Sequence, residues 1–328
     1  MAVNLASPGV LVREVDLTIG NVDPTSGSIG ALVAPFTKGP VEEPQLIENE
    51  EDLLQTFGQP YSVDNHYEYW MVASSYLAYG GTMQVIRAND AGLKNATEDG
   101  APELLIKSDT HYNQLGYDDN TITGTVIAAK TPGSYANGIR VSIIDGKADQ
   151  ILTVSGISTV GMGVTQSVSG RVVAGAAGTS LLDGYLKGIV TGIPESGKAE
   201  VKVLSHVSAA GTVTQVDYQA NGNYCFKASE IITPIAAGAN VGTGSTQVVS
   251  SQVDWFEQQE IVLTTKDGNG NPIKLEWDSL ADAPGTSTYA QARGGRHDEL
   301  HVVVIDDKGT ITGNAGTLLE KHLNLSKA

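Results

Sequence analysis

The stretch SIGALVAPFTKGPVEEPQLIENEEDLLQTFGQP, residues 28–60, decides how the chain reads. SIGALVAPF runs small and apolar residues together, as a buried strand does, and Thr37-Lys38-Gly39-Pro40 ends it. Gln45-Leu46-Ile47 reads as a short second strand. Asn49 stands where a side chain can accept a free backbone N–H, so a helix should start there. Glu50, Glu51 and Asp52 then fall in the first turn, where the helix dipole favours negative charge. Leu53, Leu54 and Phe57 supply the apolar face, and Gly58 with Pro60 stops the helix. A second helix is expected from Asp64 to Tyr79, with Tyr69, Trp70, Ala73, Tyr76 and Leu77 in one stripe and Gly80-Gly81 closing it. Met83, Val85 and Ile86 make the next strand. The order β-β-α-α-β predicts a small layer of sheet and helix.

Working outward, residues 1–22 read as an arm. In SPGVLVREVDLTIG, Val10, Val12 and Glu14 alternate with Leu11, Arg13 and Val15, one strand with no hairpin partner nearby. It is either an edge strand of the chain's own sheet or a strand lent to another subunit. Residues 91–120 are polar and turn-rich, as a linker or surface excursion is. Thr121 to Ala129 and Gly138 to Asp145 are expected strands. Residues 150–252 change character: Val, Ser, Thr, Ala and Gly dominate, and ILTV, RVVAG, AEVKVLSHV, GTVTQVDYQA and TQVVSS read as short strands. Turn signals at this spacing predict a sandwich or barrel, inserted into the α/β body because α/β patterning resumes after it. From 253 to 328, EIVLTT and IKLEW form a hairpin across Lys266 to Asn271, LHVVVID is a buried strand, and TLLEKHLNL (317–325) reads as an unfinished helix. The expected fold is mixed α+β. It comprises an arm (1–22), a body (23–149), an inserted all-β domain facing outward (150–252) and the body continued (253–328).

Composition removes whole classes of function. With 20 basic and 37 acidic residues the net charge is −17, against both nucleic acid and anionic lipid as electrostatic partners. Charged residues are 17% and hydrophobic ones 41%, which argues against wholesale disorder. No apolar run is long enough for a membrane-spanning helix, so no direct membrane insertion is expected, and the start shows no secretory pattern. The single cysteine, Cys225, forms no internal disulfide and reads as a small buried residue.

Four stretches imitate chemistry. Gly192 to Ala199 (GIPESGKA) has most of a phosphate-loop spacing, but Ala199 replaces the hydroxyl that magnesium needs and the following residues alternate as a strand. A turn between strands is the better reading, and VVVIDD (302–307) then loses any nucleotide role. His297-Asp298-Glu299-Leu300-His301 lacks the Glu directly after the first His that a zinc protease requires. Asp267, Asn269 and Asn271 open like a calcium loop, but Pro272 and Asp278 stand where Gly and Glu belong. No acid, base and nucleophile come together, so no catalytic residue, cofactor or metal is expected.

Taken in order, SPGVLVREVD, residues 28–60 and AYGGTMQVIRA resemble the tail sheath proteins of contractile-tailed bacteriophages. The elements that carry the likeness are Ser7 to Val10, Lys38-Gly39-Pro40, Phe57-Gly58, Gly80-Gly81 and Val85 to Arg87. PGSYANGIRVSIID (132–145) adds the family's P-G-x-x-(G/A)-N-x-(I/L)-x-V strand. The likeness covers about 1–145, is looser over 253–328 and is absent over 150–250. It implies a structural, non-enzymatic subunit of the virion tail, assembled in the host cytoplasm. Such subunits stack as hexameric rings into a helical sheath around an inner tail tube protein, between baseplate and tail terminator proteins, and contract to drive the tube through the bacterial envelope. It further implies that Val10, Leu11, Val12, Arg13, Glu14 and Val15 form the intersubunit strand. Family members continue into a further C-terminal domain, so the chain is expected to be the front part of a longer protein. Two other readings stand beside this one: an adhesin or receptor-binding module built on 150–250, and, least favoured, a nucleotide hydrolase using Gly192 to Lys198.

Overall fold

The computed structural model describes residues 29–59, 66–115, 124–166, 184–239, 242 and 244–327. Two units make up the chain, residues 1–138 and 139–328. In the first, β1 (Ile29–Ala34), β2 (Gln45–Ile47), α1 (Glu50–Phe57), α2 (His66–Ala78) and β3 (Thr82–Arg87) follow in the expected order. The sheet runs β1-β3-β2, with β1 parallel to β3 and β2 antiparallel to it. Asn49 is extended, with φ −150, and its Oδ1 accepts the Asp52 N–H at 2.9 Å, so one orphan donor of α1 is satisfied. Gly58 ends α1 at φ +81, and the Trp70 indole N–H donates to its carbonyl, tying α2 to the end of α1. Leu53, Phe57, Trp70, Ala73 and Leu77 pack on Ala34, Ile47, Met83 and Val85. Full burial of side chains such as Leu53 and Phe57 stabilises by about 1.5–3 kcal/mol each. Tyr69, expected in the α2 stripe, is exposed instead.

Residues 91–115 are no simple linker. Asn95 is buried; its side chain accepts the Ile106 N–H at 2.6 Å and donates to the carbonyls of Ile106 and Ala129. A short helix, α3 (Asp109–Gln114), follows, capped by Ser108. The expected strand at 121–129 is absent over its described part: Ala128 makes only an isolated bridge to Thr97. The N–H groups of Val126 and Ile127 go to the Glu98 carboxylate, and so are not free for a ladder.

The second unit is dominated by strands: β4 (Ile139–Asp145), β5 (Gln150–Val154), β6 (Gly163–Gln166), β7 (Tyr185–Gly192), β8 (Lys198–Val207), β9 (Val213–Gln215), β10 (Ile231–Ile235) and β11 (Thr246–Val253). The order β5-β11-β10-β6-β7-β8 closes on itself where β5 pairs with β8, giving a six-stranded antiparallel barrel with β9 added beside β8. Alternation fills it: Leu152, Val154, Val164, Leu186, Val190, Val201, Val203, Ile232 and Val248 point inward around Phe226. Gly188 sits inward because a Cβ there would lie 2.8 Å from the Lys202 carbonyl and 3.0 Å from the Phe226 ring. The expected strand RVVAG (171–175) lies outside the described residues.

Beyond the barrel come β12 (Glu260–Lys266) and β13 (Pro272–Glu276), the expected hairpin, then α4 (Thr288–Gln291), β14 (Glu299–Asp306) and β15 (Thr317–Ser326). A three-stranded antiparallel sheet runs β15-β14-β4. Trp255, Ile261, Leu263 and Trp277 pack against Ile144, Val303 and Ile305. The helix expected at 317–325 is therefore a strand. Leu318, Leu319 and Leu323 fit a helical stripe, but the residues also alternate, and pairing with the apolar β14 decides between the two patterns. Over the described residues the fold is mostly β with few helices, so the balance of sheet and helix expected from the sequence is corrected toward sheet.

Candidate functional site

Three of the motifs singled out in the sequence meet at Arg87. It closes β3 on the buried side and is 2% exposed. One terminal nitrogen donates to the Gly39 carbonyl at 2.8 Å and to the Pro132 carbonyl at 2.6 Å. Lys38-Gly39-Pro40, the strand to Arg87 and Pro132-Gly133 are thus one construction. Gly133 belongs to it for a steric reason: at φ +143 its Cβ would lie 2.4 Å from the Thr37 carbonyl. No carboxylate pairs with Arg87 among the described residues, and burial draws its pKa down to about 10. Its role is to hold loops together; it is too enclosed to meet a ligand.

The imitations of chemistry resolve into structure. Gly192 ends β7 and Lys198 starts β8, so a strand follows the phosphate-loop look-alike and no helix N-terminus faces it. Lys198 pairs with Glu195 at 2.5 Å on the hairpin surface. His301 is fully buried; its Nε2–H donates to the Asp282 carbonyl at 2.8 Å, and its Nδ1 accepts the Asn324 N–H at 3.0 Å. Both nitrogens are occupied, so His301 binds no metal. Asp298 accepts from the Ser287 and Ser326 hydroxyls, and these bonds hold its carboxyl down at about 2. Asp267 accepts the N–H groups of Asn271 and Asn269 at 2.8 and 2.9 Å, a hairpin-turn role. Cys225 is buried, and burial pushes its thiol pKa up, the opposite of a reactive thiolate. Among the described residues no group of three His, Cys, Asp or Glu is placed to hold a metal.

The aspartates of VVVIDD have a use that spacing did not reveal. Asp306 accepts the N–H groups of Thr310, Ile311 and Thr312 at 2.8–2.9 Å, and Asp307 accepts those of Thr264 and Thr265 together with the Arg140 guanidinium. Burial opposes ionisation of both, and the hydrogen bonds outweigh it, so both carboxyl pKa values lie below the usual range. A pair of acids at a strand end, followed by Gly and Thr, was the available signal.

What remains open is backbone. β15 is an outer strand of its sheet, ten residues long and exposed from Glu320 to His322 and from Asn324 to Ser326. β1 is an outer strand of the first sheet, with Ile29 and Val33 turned to solvent. Unpaired outer strands are templates for a further strand. Two register shifts interrupt the β14–β15 pairing, and Lys321 donates to the Leu280 carbonyl, features that blunt uncontrolled pairing along that side. The predicted partner strand, Val10 to Val15, lies outside the described residues.

Comparison with known proteins gives the following. No family model matches the chain. Over 86 residues it is 36% identical to the tail sheath protein of Enterobacteria phage T4, which is 26% of this chain and 13% of that protein's length. Among solved structures, a sheath tail protein from Listeria innocua aligns with 70% of this chain and 36% of its own at 16% identity. The TM-score is 0.20, too low to bear on the fold. The chain is thus similar to a tail sheath protein over those 86 residues, and it spans about an eighth of that relative's length.

Proposed function

We propose that the chain is a structural subunit of a contractile phage tail sheath, without enzymatic activity. Subunits would stack as hexameric rings around an inner tail tube protein, bounded by baseplate and tail terminator proteins. Contraction would then drive the tube through the bacterial envelope. The observation that carries this reading is the 36% identity to a tail sheath protein over 86 residues, joined to the meeting at Arg87 of motifs on which the family resemblance rests. In this scheme Val10 to Val15 of one subunit extends a sheet of its neighbour, and outer strands such as β15 are the receiving surfaces. Backbone hydrogen bonds of that kind keep subunits linked while their bodies rotate, so stored free energy is released by a lattice change with no reaction at a site. The barrel at 150–252 is an insertion facing outward. Negative-stain microscopy of the purified chain tests the scheme: rings or tubes are expected, and removal of residues 1–20 should abolish them. Particles that never assemble, or tubes that persist without the arm, would overturn it.

A further inference from the structure

We propose that Lys202 and Asp149 form an isopeptide bond that covalently staples the closing seam of the barrel. Lys202 Nζ lies 2.7 Å from Asp149 Oδ1, and the two side chains are 5% and 1% exposed. Every other described lysine–carboxylate pair has its lysine at least 24% exposed. The pair sits one step beyond Gln150 and Val201, where β5 meets β8 and the barrel closes.

Both groups are held still. The Asp149 N–H donates to the Val201 carbonyl at 2.9 Å, and the Asp149 carbonyl accepts the Trp255 N–H at 3.1 Å. Asp149 Oδ2 accepts the Val203 N–H at 2.8 Å, which fixes the plane of the carboxyl group. Fixed contact of a nucleophile with an acyl carbon replaces a bimolecular encounter by an effectively unimolecular one. Exclusion of water removes the reactant that would reverse the amide. His297 is taken as the proton carrier. Both ring nitrogens of His297 are buried and without a hydrogen-bond partner, and the charges of Lys202 and Asp149 both act on that ring, as do Asp217 and Arg296.

The step balances without a cofactor. A proton passes from the ammonium to the carboxylate, giving amine and acid. The Nζ lone pair attacks Cγ, forming the C–N bond, while the Val203 N–H steadies the negative charge on Oδ2. His297 takes a proton from Nζ and delivers it to the Oδ1 hydroxyl, the C–O bond breaks, and one water leaves. The product ties together two positions 53 residues apart in the chain, so the barrel would resist unzipping at its seam under tension.

Intact-mass measurement of the purified full chain decides the matter. A mass one water below the sequence mass is expected, with a peptide containing Asp149 joined to one containing Lys202 and no tryptic cleavage after Lys202. The full sequence mass, with cleavage after Lys202, would overturn the proposal, and this reading needs no variant. In Asp149→Ala and Lys202→Met the missing water should return. In His297→Gln the bond should form more slowly in newly made protein; formation at the unchanged rate would remove His297 as the carrier.

Discussion

At Arg87 a guanidinium stands 98% enclosed with backbone carbonyls as its partners and its Nε unpaired. Replacing it by Leu strands the Gly39 and Pro132 carbonyls, and the expected loss is about 2–4 kcal/mol in urea unfolding. Wild-type stability in that variant would show that the loops hold without it. A second residue-scale expectation concerns pH. Asp298, Asp306 and Asp307 all have carboxyl pKa values lowered in the folded chain. A lowered folded-state value means stability that is present above the ordinary value of 3.8 and is lost as pH falls toward about 2. The urea midpoint should therefore drop across that window, and Asp298→Asn should flatten the drop. His297 acts at a higher pH: burial lowers its pKa from 6.5, so protonation is resisted in the fold. Stability it contributes is complete above 6.5 and declines as pH falls below that value; His297→Gln should remove this part of the decline, read by unfolding at pH 7 and pH 5.

At the scale of elements, the first unit was legible because its signals are local. Asn49, the acidic first turn, Phe57 and Gly58 each act within a few residues, and all hold in the structure. The C-terminal strand was not legible, because Leu318, Leu319 and Leu323 satisfy two periodicities and the deciding partner, β14, lies many residues upstream. Barrel closure was likewise hidden: it rests on the pairing of Gln150–Thr153 with Lys198–Val201, which no local pattern announces. The sequence offered sandwich or barrel, and register settled it. Strand packing gives its own expectation. Gly188→Val should destabilise by about 1–3 kcal/mol through contact with the Lys202 carbonyl and Phe226. Lys198→Ala, on the exposed hairpin, should change stability by no more than about 0.5 kcal/mol and leave no nucleotide turnover to lose.

For the whole molecule, the net charge of −17 bears on assembly. In the proposed rings, stacked copies of this charge would repel one another, and the repulsion is screened over about 8 Å at physiological ionic strength. Light scattering should show assembly rising with added sodium chloride; assembly indifferent to salt would mean that other contacts neutralise the charge locally. Finally, Gln150 opens the barrel and Val253 closes it, and these two residues face each other directly across the β5–β11 pair. The backbone thus leaves and rejoins the rest of its unit at one spot, about 5 Å across. A module attached in this way behaves as a cassette. Evolution or an engineer can lengthen it, exchange it for another domain or replace it by a short tight turn, with the flanking strands rejoined where they already meet.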